Sequence, residues 1–171
     1  LDPHDADRAE LARRQFSPEA LARGKELLRM AAFLQFTLPG MACIYYGDEA
    51  GMDGYRDPFN RKFYPWGRED ESLQAFYRAL AGLKKELPAL RRGDVQVLEA
   101  GEGRLMFRRS LEEQAVCVCC NKSSRLWELN LSGSMLLGGK ILSCLPGKIL
   151  LGTDGYCLVL RQTAQDVVDR I

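Results

Sequence analysis

Leu38-Pro39-Gly40-Met41-Ala42-Cys43-Ile44-Tyr45-Tyr46-Gly47-Asp48-Glu49 is the stretch on which the fold turns. Its centre, Met41 to Tyr46, is a continuous apolar run stopped by Gly47. A short run without polar alternation has the pattern of a strand buried on both faces, as in a parallel sheet flanked by helices. Leu38-Pro39-Gly40 separates it from what precedes, because proline lacks a backbone N–H and cannot continue a helix.

Working outward, Ser17-Pro18 reads as an N-cap followed by proline at the first helical position. Leu21, Leu28, Ala32 and Phe36 then fall on one face of a helix running from Glu19 to Phe36. On the other side of the run, a loop of roughly twenty residues reaches Asp70. Loops of that length are either functional or disordered, and the five aromatics in it argue against disorder. A second amphipathic helix follows from Glu71 to Leu87, with Leu73, Phe76, Tyr77, Leu80, Leu83 and Leu87 on its buried side, and Pro88 closes it. Helix, buried strand, loop and helix make one and a half α/β units, which do not close a sheet.

The text changes character near Gly93. Strands are expected over 94–99, 104–109, 115–120, 126–131, 140–144 and 156–161, with a weaker one at 148–151. Their spacing of about ten residues is the rhythm of an antiparallel β-sandwich. Trp127, Leu129 and Leu131 alternate with Glu128 and Asn130, as on a sheet with one wet face. Gly101-Glu102-Gly103, Gly138-Gly139 and Asp154-Gly155 read as turns. The expected class is therefore α/β plus all-β, with residues 1–92 forming one part and 93–171 the other.

Lys and Arg number 24 against 23 Asp and Glu, a net charge of +1. That balance leaves no electrostatic footprint for nucleic acid or an anionic membrane, and no apolar run is long enough to cross a bilayer. The cysteines, Cys43, Cys117, Cys119, Cys120, Cys144 and Cys157, are scattered through strand-like text and are not spaced as a disulfide framework. They point to a reducing, cytoplasmic setting. Cys117-x-Cys119-Cys120 has no second cluster, and the only histidine, His4, is far away. On a strand Cys117 and Cys119 share a face as small buried hydrophobes, so neither metal nor cofactor is expected.

Three stretches carry a resemblance. They are Leu1-Asp2-Pro3-His4-Asp5-Ala6-Asp7-Arg8; the stretch from Leu38 to Glu49; and Gly51-Met52-Asp53-Gly54-Tyr55-Arg56-Asp57-Pro58-Phe59-Asn60-Arg61, continuing to Pro65-Trp66. In this order, with a helix between the first two, they resemble the α-amylase family of glycoside hydrolases. The third is most similar to the neopullulanase, cyclomaltodextrinase and maltogenic-amylase branch. The resemblance covers residues 1–90 or so. It implies that residues 1–92 are the last part of a (β/α)8 TIM barrel: the end of the seventh unit, the eighth strand, its loop and its helix. The active site of such a barrel gathers at the C-terminal ends of the strands. The β-rich remainder fits the family's C-terminal sandwich.

The resemblance also implies site roles. Asp5 takes the position of a carboxylate that stabilises the transition state, and His4 beside it that of a hydroxyl ligand. Asp57 and Arg61 match a pair that binds glucose units on the non-reducing side. The implied substrate is an α-glucan oligosaccharide (maltodextrin, cyclodextrin or pullulan) cleaved with retention. An implied homodimer would form through parts outside this chain. Retention requires a nucleophile and a general acid about 5–5.5 Å apart. The family carries both on its fourth and fifth barrel strands. No strand here ends in the family's Arg-x-Asp pattern, since Arg56-Asp57 lies in the loop, so the chain by itself is expected to be inactive.

Plainer readings stand beside these. His4-Asp5 can be an exposed terminal dipeptide, and Asp57 with Arg61, four residues apart, a local ion pair. Asp48-Glu49 are neighbours on a strand end and point apart, so a structural role in the loop suits them better than that of a catalytic pair. Trp66 and the loop tyrosines can stack on sugars or pack the loop. A different class, a non-catalytic carbohydrate-binding or assembly module, would need an exposed aromatic platform on 94–171, where Phe107, Trp127 and Tyr156 are the only large rings.

Overall fold

A computed structural model describes residues 15–54 and 58–161. The described helices are α1 (Pro18–Thr37), α2 (Glu71–Glu86) and α3 (Pro88–Arg92). The strands are β1 (Asp94–Gly101), β2 (Arg104–Leu111), β3 (Gln114–Asn121), β4 (Trp127–Asn130), β5 (Ser134–Leu145) and β6 (Lys148–Arg161). The chain divides into two compact units. One takes residues up to Arg29 together with Cys43–Arg78, and the other takes Met30–Ala42 with the chain from Ala79 onward.

The second unit is built on one antiparallel sheet in the order β1-β2-β3-β6-β4, with β5 also paired to β6. β6 is the organising strand. Its first part, Lys148–Leu151, pairs with β4 and with the end of β5, while its second part, from Gly155, pairs with β3 and with the start of β5. The sheet thus curls over on itself where β6 bends, which is how strands turn the corner of a sandwich. Asp154 at the bend has φ 56, a left-handed conformation unusual for a non-glycine residue. The bend is held by Asn121 at the end of β3, whose side-chain amide donates to the carbonyls of Leu151 (3.3 Å) and Gly152 (3.1 Å). The core inside the curl joins Cys117, Cys119, Cys157 and Val159 from one half to Trp127, Leu129, Ile149 and Leu151 from the other. The expected antiparallel sandwich is present, made from a single continuous sheet.

Alternation sends Phe107, Val116, Val118, Tyr156 and Leu158 to the opposite face. Helical residues cover them there: Phe33 is fully buried and its ring centroid lies 4.8 Å from that of Tyr156. With both faces covered, nearly every residue of β3 is buried. Arg109 on β2 is buried too, and its guanidinium donates to the carbonyls of Thr37 (2.7 Å) and Gly93 (2.9 Å), at the C-terminal ends of α1 and α3. Lys84 Nζ donates to Phe36 O (3.0 Å) and Leu38 O (3.3 Å) at the same end of α1. α1 has no basic residue in its own last turn. The cations that complement its dipole come instead from distant parts of the chain.

Three sequence expectations change. Gly138-Gly139 and Asp154-Gly155 are not turns; they lie inside β5 and β6. Gly139 faces Tyr156 in register, and a Cβ there would come within 2.6 Å of the ring, so the glycine makes room for the tyrosine. The turn between β5 and β6 is Pro146-Gly147, with Gly147 at φ 76. Finally, residues 41–46 form no strand, and they are exposed rather than buried: Met41 is 95% exposed and Tyr45 48%. An apolar run becomes a strand only when another strand pairs with its backbone, and among the described residues no strand pairs with this one.

Candidate functional site

The candidate site is the loop that follows residues 41–46, in the first unit. Gly47 and Gly51 adopt positive φ (92 and 70), which lets the chain reverse tightly. Backbone bonds from Ala50 and Met52 to Gly47 O (3.1 and 2.9 Å) close the reversal. The Glu49 carboxylate folds back to accept the Gly47 N–H at 3.0 Å. Asp48-Glu49 therefore builds the turn, as the plainer reading had it. Burial, reinforced by Glu49, raises the Asp48 carboxyl. Burial and the two carboxylates push the Tyr77 phenol up to about 12.

The loop ends on Asp70. One of its oxygens accepts the Leu73 N–H (3.0 Å) and the Ser72 hydroxyl (2.6 Å), which caps α2. The other accepts Lys25 Nζ from α1 at 2.7 Å. The Lys25 and Ser72 hydrogen bonds hold the Asp70 carboxyl well below the usual carboxylate range. Asp70 N–H also donates to Ala50 O at 3.0 Å, so loop, α1 and α2 meet at this one residue. Sequence reading passed over both Lys25 and Asp70. An Asp three residues before the first buried leucine of a helix is an N-cap signal that could have marked Asp70.

Further along, Lys62 pairs with Asp53 (2.7 Å), and Tyr46 OH donates to Lys62 O (3.0 Å). Arg61 is exposed, its N–H bonded to Pro58 O at 3.1 Å in a turn. His4, Asp5 and Asp57 lie outside the described residues. Tyr64 and Trp66 pack with ring centroids 4.6 Å apart, and Trp66 remains 81% exposed. An open groove of about 660 Å³ runs beside the loop, lined by Phe16, Leu21, Lys25, Asp53, Lys62 and Asp70 among others. Its paired charges and apolar patches suit hydroxyl-rich ligands with apolar faces. On the β unit the three large rings, Phe107, Trp127 and Tyr156, are all buried, which leaves no aromatic platform there.

No family model matches the chain. Individual relatives do. An amylopullulanase of Thermoanaerobacter thermohydrosulfuricus is 32% identical over 162 residues, covering 82% of this chain and 11% of that protein. Neopullulanase 2 of Thermoactinomyces vulgaris is 31% identical over 172 residues, covering 98% of this chain and 28% of the relative. Over these stretches the chain is similar to enzymes of the α-amylase family. Among solved structures of the family, an α-amylase from Anoxybacillus superposes with a TM-score of 0.68 at 28% identity, over 79% of this chain and 32% of that one. The curled antiparallel sheet corresponds to the C-terminal β-domain of these enzymes. The chain spans only 11% and 28% of the lengths of the two curated relatives, a minor portion of each.

Proposed function

We propose that this chain is the C-terminal portion of a retaining glycoside hydrolase that cleaves α-glucosidic bonds in maltodextrins, cyclodextrins or pullulan. The observation that carries the reading is the order of the three motifs, Leu1 to Arg8, Leu38 to Glu49 and Gly51 to Trp66, in a chain whose relatives are an amylopullulanase and a neopullulanase. Residues 1–92 then contribute the last part of the catalytic barrel and residues 93–171 the β-domain. Asp5 hydrogen-bonds sugar hydroxyls as positive charge develops at the anomeric carbon, and His4 orients the same ring. Asp57 and Arg61 hold glucose units on the non-reducing side. The nucleophile and general acid belong to parts of the parent enzyme not included in this sequence. Six free thiols support a reducing compartment such as the cytoplasm. Homodimerisation would use other parts of the parent.

The experiment is Asp5→Asn in the parent enzyme. An interaction made mainly in the transition state shows in kcat. The variant should lose kcat by orders of magnitude while substrate affinity changes little. An unchanged kcat would remove Asp5 from the site.

A further inference from the structure

We propose that Cys119 and Cys157 form a cross-strand dithiol that a small-molecule disulfide, such as oxidised glutathione, converts into an intramolecular disulfide joining β3 to β6. The geometry singles out this pair. Cys119 and Cys157 are directly opposed in the antiparallel β3–β6 register. Opposed residues in antiparallel strands have Cα atoms about 4.5 or 5.5 Å apart, and both spacings fall within the ~4.4–6.8 Å span that disulfides use. The other buried thiols are worse placed. Cys117 is opposed by Val159, while Cys120 points to the other face of the sheet and is opposed by Tyr156. The Cys157 sulfur raises the Cys119 thiol beside it, and the Cys119 thiol in turn lowers that of Cys157.

That asymmetry assigns the steps. The Cys157 thiolate attacks one sulfur of oxidised glutathione, breaking its S–S bond and releasing one glutathione thiolate. The mixed disulfide on Cys157 is then attacked by Cys119 as it loses its proton. The Cys119–Cys157 bond forms and the second glutathione leaves. The net change is one protein dithiol oxidised and one glutathione disulfide reduced to two thiols. Both sulfurs are fully buried, so the first step needs an opening, and the fold supplies one at β5. On its other side Cys157 is opposed only by Gly138 of β5, a strand whose pairing with β6 shifts register at three points. β5 pairs with no other strand among the described residues, so a local opening can lift it from β6.

The test uses the full chain with the exposed Cys43 and Cys144 changed to Ser, incubated folded in oxidised glutathione, then alkylated and digested. The expected result is loss of two hydrogen atoms from the intact mass and one cross-linked peptide pairing Cys119 with Cys157, both reversed by dithiothreitol. Cys120→Ala should leave the cross-link in place, and Cys157→Ala should abolish it. The unaltered chain, digested in the same way, should give the same linkage, so the result does not depend on any variant folding. Four free buried thiols after β5 amides have exchanged, a cross-link through Cys117 or Cys120, or a glutathione adduct that persists on Cys157 would each overturn the proposal.

Discussion

Arg109 sits 1% exposed on β2, where a charge without acceptors would be costly. It donates to Thr37 O and Gly93 O, the carbonyls that end α1 and α3. Arg109→Met keeps the volume but strips both carbonyls of their donor, and should cost ~2–4 kcal/mol, read as a lower urea midpoint. Asp70 is the corresponding residue of the first unit. Asp70→Ala removes the α2 cap and should cost about 1 kcal/mol. Its folded pKa lies below the unfolded value, so the stability it adds as a carboxylate is complete above the unfolded value and is lost as pH falls through the folded one. Asp70→Asn keeps a capping oxygen but no charge. Its stability deficit at neutral pH should therefore shrink as pH falls below ~3.9, measured by unfolding at a series of pH values.

At the level of elements, Gly139 and Tyr156 show how two strands are fitted together. Gly139→Val would drive a side chain into the Tyr156 ring and disturb its packing on Phe33. A loss of ~1–3 kcal/mol is expected in thermal unfolding. The same pair shows why the sequence was legible in some places and not in others. β1 to β4 could be read because local turns bound them, and in β4 alternation also announces the strand, with Trp127, Leu129 and Leu131 against Glu128 and Asn130. β5 was cut short because a double glycine looks the same whether it makes a turn or admits a ring from the next strand, and β6 because Asp154-Gly155 has turn residues at what is a bend within one strand. Arg108 and Arg109 are consecutive charges on β2. On a strand, neighbours face opposite ways, so with both faces covered one of them had to go inside. Residues 41–46 were read as a buried strand because apolar text is local and strand pairing is not. Their amides should exchange rapidly in the isolated chain, while those of β3 and β6 are slow in the same hydrogen-exchange run. Of the candidate site, Arg61 could be placed in its loop. The part played by Lys25 and Asp70 depends on helices forty-five residues apart meeting, which no local pattern reports.

At the scale of the molecule, the second unit draws on Met30–Ala42 as well as on the chain from Ala79. A chain beginning at Asp94 would lack Phe33, Phe36, Ala89 and Leu90 and would expose the Val116, Val118 and Leu158 face of the sheet. Such a truncation should bind an apolar dye and self-associate, whereas the full chain should do neither as readily. The β3–β6 pairing that makes this face also sets a schedule for synthesis. β1, β2 and β3 can form a meander as soon as they leave the ribosome, but Asn121 pairs with Gly155 and Ala115 with Arg161. Until the last described strand has been translated, the most apolar strand of the sheet waits with one backbone edge unpaired. The domain is thus most prone to aggregation while it is still being made, and β6 closes that interval.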